Sequence, residues 1–232
     1  MARTVTLSQL RTDARLFADE RPGSADSYIS TTELDRFINL RLAGLYDLLV
    51  QARGHDHYRS EDTITTANGT ERYALPSDFY QLLDVQIEWS STQIEELRDF
   101  HLRDAGRLKS LGWRSYSAPR YRVEGSNLRI LPVPTAVHTI RFGYIPVCPT
   151  LSDPTDTFDG INGWEVLVTV GAAIDMLSTQ ELSNAKLDER YAKEERRVIE
   201  EAGNRAAMSA PTIWDESPDD GHHHYLTRDW RI

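Results

Sequence analysis

Apolar positions recur along this chain with two different periods, and the places where the period changes divide the sequence. Leu7, Leu10, Ala14 and Phe17 stand at helical spacing behind Thr6 and Gln9, a pair able to cap each other's backbone. A first helix is therefore predicted over 7–20, ended by Arg21-Pro22-Gly23-Ser24. Ser30 and Glu33 repeat the capping pattern ahead of Leu34, Ile38, Leu42, Leu45 and Leu49, one broad apolar face with Gly54 as its stop, so a second helix is predicted over 31–53.

From residue 58 the period falls to two. Residues 62–67 and 70–75 flank Asn68-Gly69, the favoured pair for a type I′ turn, and are predicted to form a hairpin. Pro76 removes a ladder donor and disfavours a helical Leu75, which stops the second of these strands. In the segment from Tyr73 to Val85, Ser77 is read as the cap of a short helical turn holding Phe79, Leu82 and Leu83, a corner that redirects the strand and plugs its end. Further strands are predicted at 84–90, 93–98, 120–124, 127–132 and 138–146, with a short helical piece between Asp99 and Leu111.

Helical spacing returns after the loop PTLSDPTDTFDGING. Trp164, Leu167, Val170, Ala173, Ile174 and Leu177 carry few charges on any side, so this third helix is expected to be enclosed by other elements. The fourth, over 184–207, has a thin stripe of Leu187, Tyr191, Val198 and Ala202 among alternating charges, the pattern of a surface helix or one between subunits. The remaining 209–232 has no period and carries Pro211, Pro218 and Gly221, yet Trp214, Tyr225, Leu226, Trp230 and Ile232 are too apolar for an inert tail. A docking arm and a terminus folded on its own domain are both compatible with that composition. The expected fold class is α+β: an antiparallel four-helix bundle, two N-terminal and two C-terminal helices, with a β-rich inserted domain and an extended C-terminal tail. The boundaries are 1–57, 58–150, 151–208 and 209–232.

Composition narrows the function. The 36 acidic against 26 basic side chains, net charge −10, argue against a tight sequence-independent grip on nucleic acid as the main role. One cysteine, Cys148, excludes an intramolecular disulfide framework and is expected to be a small buried group. The start MARTVTLSQLRTD has no apolar h-region, and no window approaches the roughly 18 apolar residues of a membrane span.

Chemistry-bearing motifs are few. Phosphate-cradling glycine patterns and the nucleophile elbow are absent from the sequence. His55 and His57 around Asp56 offer metal ligands, and a metal-dependent hydrolase would use them with nearby carboxylates; histidines at a helix end also suit its dipole, the reading preferred here. His222, His223 and His224 beside Asp219 and Asp220 are a weak chelator or a polar tail. Trp113, Arg114, Tyr116, Arg120, Tyr121 and Arg122 interleave cations with rings, which suits base stacking or a protein interface; the acidic total favours the interface. No catalytic residue, metal or cofactor is assigned, and the protein is not expected to be an enzyme.

Two helices, a β-rich insertion opened by Tyr-x-Leu-Pro-x-Asp-Phe, the strand pair Tyr121 to Pro132 with its Leu128-Arg129-Ile130-Leu131-Pro132 end, the aromatic strand Phe142-Gly143-Tyr144, and two closing helices together resemble the adaptor proteins of tailed-phage necks, including the podovirus tail tubular protein A group. The resemblance covers about residues 5–207. It implies a virion structural protein assembled in the host bacterial cytoplasm, forming a ring of twelve beneath the portal, extending the DNA channel and offering a docking surface to the downstream nozzle or stopper protein. DNA would pass without specific binding and no membrane would be involved; a different tail or neck completion protein is the alternative. On this resemblance Trp214, Tyr225, Leu226, Trp230 and Ile232 become portal anchors, and Arg190, Lys193, Glu194, Arg197 and Glu201 the charged face between subunits.

Overall fold

The computed structural model describes residues 4–20, 28–52, 58–113, 119–159 and 163–204. Strand β1 (Thr4–Thr6) leads into helix α1 (Leu7–Phe17), where Thr6 Oγ1 accepts from Gln9 N at 3.3 Å and Gln9 Oε1 accepts from Thr6 N at 3.0 Å. Helix α2 (Thr31–Gln51) starts with the same reciprocal cap between Ser30 and Glu33. Both caps satisfy backbone donors that a helix start otherwise leaves unpaired. Helix α1 stops three residues before the predicted end because Asp19 turns left-handed at φ 58°.

The chain then forms β2 (Ser60–Thr65), β3 (Arg72–Ala74), β4 (Phe79–Ser90), β5 (Gln93–Glu96) and β6 (Arg98–Asp99). A 3-10 turn at Leu102–Asp104 and helix α3 (Ala105–Ser110) supply the helical piece expected there. Strands β7 (Arg120–Glu124), β8 (Asn127–Leu131) and β9 (Thr139–Pro146) complete the sheets. Strand β10 (Thr157–Asp159) lies in a stretch expected to be loop and pairs antiparallel with β1. Helices α4 (Glu165–Thr179) and α5 (Ala185–Asn204) follow.

Two four-stranded sheets, in the orders β2-β9-β4-β5 and β3-β8-β7-β6, share one apolar core. Val85, Ile87, Ile140 and Phe142 from the first meet Tyr73, Leu128 and Ile130 from the second. Read along the two orders, β2 corresponds to β3 and β5 to β6, so the chain changes sheets at each flank.

The predicted hairpin does not form, since β2 pairs with β9 and β3 with β8. The turn itself does form, closed by Thr70 N donating to Ala67 O at 3.1 Å, but only Gly69, at φ 79°, has positive φ. A type I′ turn needs positive φ at both central residues, and without its twist the flanking strands diverge. The Tyr73 hydroxyl holds the turn by accepting from Ala67 N at 3.0 Å and donating to Thr70 O at 2.8 Å.

The corner after Tyr73 redirects the chain as expected, carrying it from β3 in one sheet to β4 in the other, but its helical turn is absent. Phe79 N donates to Pro76 O at 3.1 Å and β4 begins at Phe79. The register against β9 shifts between Phe79 and Gln81 and again between Leu82 and Asp84. Each extra residue flips the following side chains to the other face, which is why this strand lacks period two in sequence.

Helix α4 packs against α1, α2 and α5, and Val168, Val170, Ala172, Ala173 and Met176 on it are fully buried. Tyr46 and Val50 of α2 pack with Ile145 of β9, and the Tyr46 hydroxyl donates to Pro146 O at 2.7 Å, tying helices to sheet.

Candidate functional site

Charge distinguishes the surface of the described residues. On α5, Leu187, Val198 and Ala202 are buried while most of the charged side chains are exposed or half-buried, as the apolar stripe predicts. Arg197 donates to Glu194 at 2.6 Å, to Glu201 at 3.4 Å and to Gly163 O at 3.1 Å, and Glu201 accepts from Trp164 Nε1 at 3.0 Å. Burial pushes the Arg197 guanidinium down, but Glu194 and Glu201 outweigh it and hold it above its ordinary value. Three of the five interface candidates are thus one cluster at the start of α4. Arg190 sits apart, its guanidinium 4.6 Å from the centroid of the Phe17 ring, and Lys193 is exposed.

Between α2 and α4, Arg41 donates to Asp175 through Nε at 2.7 Å and Nη2 at 2.5 Å, with Tyr191 of α5 alongside. Hydrogen bonding to Asp175 raises the guanidinium above its ordinary value. Gly171 makes room: a Cβ there would stand 2.8 Å from Arg41 Cδ and 3.0 Å from Tyr191 Cε2. Sequence reading missed this lock, because no periodicity links positions 41, 175 and 191.

Of the rings and cations expected between 113 and 122, Arg114 and Tyr116 lie outside the described residues, and the other four separate. Trp113 packs on Trp89 and His138, with centroids at 5.5 and 6.1 Å, and Tyr121 faces the sheet core, whereas Arg120 and Arg122 occupy the opposite face. Burial raises the Cys148 thiol to about 11, with Asp47 adding to it, so this half-buried group is a poor nucleophile at neutral pH. Among the described residues there is no cluster of three or more His, Cys, Asp or Glu that could hold a metal ion, and no helix long and apolar enough to cross a membrane. Two polar depressions, of about 320 and 310 Å³, lie at Ser8-Thr12 and Asp62-Arg141. His55, His57, the His222–His224 run and the anchors Trp214, Tyr225, Leu226, Trp230 and Ile232 lie outside the described residues.

Helices that join N- and C-terminal segments in one core, together with a two-sheet unit between them, define an α+β protein. The family model for the SU10 adaptor protein matches residues 5–215, and the chain belongs to that family of phage adaptor proteins, which are virion components. No curated protein matches the chain.

Proposed function

We propose that this protein is a head-to-tail adaptor of the podovirus tail tubular protein A type, assembled in the host cytoplasm into a ring of twelve beneath the portal. The ring extends the DNA channel and presents the attachment surface for the downstream nozzle or stopper protein. The observation that carries this reading is the adaptor family match across residues 5–215. In it, residues 1–57 and 151–208 are the two halves of an antiparallel four-helix bundle, and 58–150 is an inserted unit. Arg190, Lys193, Glu194, Arg197 and Glu201 on α5 face the neighbouring subunit, a role supported by their place on a charged helix face. Residues 209–232 reach the portal through Trp214, Tyr225, Leu226, Trp230 and Ile232, each buried ring contributing about 2 kcal/mol.

Mass photometry of the full chain with and without portal tests the reading. A monomer alone and a twelvefold complex with portal are expected, and deletion of 209–232 abolishes co-sedimentation with portal. Assembly with tail components while ignoring portal would instead identify another neck completion protein.

A further inference from the structure

The acidic total conceals one cationic face. In the sheet β3-β8-β7-β6, cross-strand register places Arg72, Arg129 and Arg122 in one row and Arg98, Arg120 and Leu131 in the next, all on the face opposite the core residues Tyr73, Leu128 and Ile130. Helix α3 lies against that face through Leu108, which packs with Phe100 and Leu131, and brings Arg107 and Lys109 with it, Arg103 preceding it. Eight cations thus share a surface with three carboxylates, Glu71, Glu124 and Asp104, whereas Asp99 falls by register on the side of Tyr121, in a chain of net charge −10.

Part of this charge is neutralised within the fold. Arg129 pairs with Glu124 at 3.0 Å and Glu71 at 3.5 Å, Arg72 with Glu124 at 3.1 Å, and Lys109 with Glu71 at 3.1 Å. The rest is not. The guanidiniums of exposed Arg98, Arg103 and Arg107 make no ion pair or hydrogen bond among the described residues, and that of exposed Arg120 makes only a 3.5 Å contact to Asp99 O. Arg98 and Arg120 are direct neighbours across β6 and β7, a like-charge placement that destabilises a sheet unless an anion lies over it.

We infer that this face, through Arg98, Arg103, Arg107 and Arg120, binds the phosphate backbone of duplex DNA. Arg98 and Arg120 stand on adjacent strands about 4.8 Å apart, and Arg103 and Arg107 are carried by the turn and helix that pack on the same face through Leu108, so the guanidiniums form a surface array rather than the lining of a pocket. Such an array matches a repeating polyanion, and guanidinium is the side chain suited to bidentate phosphate contact. At physiological salt the Debye length is about 8 Å, so acidic groups on other faces do not cancel the array locally. Four contacts make a weak, sequence-independent grip, with log K falling against log salt at a slope of about −3.6, or about 150-fold between 50 and 200 mM. The duplex at hand is the genome in the adaptor reading, but the binding itself is a property of the isolated chain.

Fluorescence anisotropy of the full chain on a labelled duplex of arbitrary sequence, titrated over salt, tests the assignment. The R98Q/R103Q/R107Q/R120Q variant should lose almost all of the salt slope, and R103Q/R107Q, confined to the surface of α3 and its lead-in, about half. K186Q/R196Q on the exposed part of α5 should bind like the wild type. Absence of binding at low salt, or wild-type binding by R103Q/R107Q, would overturn the inference. Leu102 and Leu111, 59% and 45% exposed beside these arginines, make an acidic protein surface the rival occupant. Polyglutamate competing as well as unlabelled duplex would decide for that rival and against DNA. Portal association is not read in this assay, so the adaptor reading and the phosphate face fail or stand separately.

Discussion

The Arg41–Asp175 lock gives the sharpest test of how the helices are held. Its two hydrogen bonds, 2.7 and 2.5 Å, are bidentate, and the side chains retain 28% and 19% of their exposure. Exposed pairs contribute 0–1 kcal/mol, while removing one partner of a buried pair costs about 3–5 kcal/mol. A pair this far from solvent lies between, so Asp175→Asn and Arg41→Met should each cost about 2 kcal/mol. For a chain of this length that lowers Tm by roughly 4–8 °C. Each single variant strands the other charge between α2 and α4, whereas the double variant strands neither. The double-mutant cycle in urea, followed by the fluorescence of buried Trp164, should therefore show a coupling of about 1–2 kcal/mol at unchanged m-value. Additivity of the two single effects within about 0.5 kcal/mol would refute the lock and make Arg41 merely a packed stem over Tyr191.

Three further outcomes follow from local geometry. Gly143→Ala should destabilise by about 1 kcal/mol, because its Cβ would stand 2.7 Å from Asp84 Oδ2 and 3.0 Å from Arg59 Cζ, and Asp84→Ala in that background should relieve the clash in a thermal melt. Cys148, raised from 9.0 to about 11, should react with a thiol reagent at pH 8 about 100-fold more slowly than an unperturbed thiol, and an equal rate would contradict its burial. Hydrogen bonding from Arg129 holds Glu124 below its ordinary 4.5, and Lys109 with Arg129 does the same for Glu71 against the upward push of burial. A depressed carboxylate stabilises in full above its unfolded value and loses that contribution as pH falls through the folded one, so stability should drop below about pH 4.5. Glu124→Gln should flatten that drop in urea midpoints measured from about pH 5 to 3.

What the sequence disclosed depended on the range of the force involved. Thr6 with Gln9 and Ser30 with Glu33 were legible because a cap is satisfied within four residues. The enclosed character of α4 was legible because burial on every side leaves no room for charge. The Asn68-Gly69 turn was legible as a turn, but its type rests on a single φ, and that φ decides whether two strands pair or part into separate sheets. Strand β4 was half hidden because two register shifts broke its alternation. Pairing between β1 and β10, and the meeting of Arg41 with Asp175, connect positions more than a hundred residues apart and leave no local trace.

The candidate sites show the same division with a sharper consequence. Net charge is an average over every face, and −10 argues against a tight grip on DNA without describing any one surface. In the run Arg120-Tyr121-Arg122 the alternation of cation and ring is visible in sequence, but only the register of β7 against β8 sends the ring inward and both guanidiniums outward. Pairing with β3 and β6 then adds Arg72 and Arg98 to the same face from 48 and 22 residues before Arg120. Sheet register therefore concentrates charge in a way composition cannot report. An acidic chain can carry one cationic face that its total does not reveal.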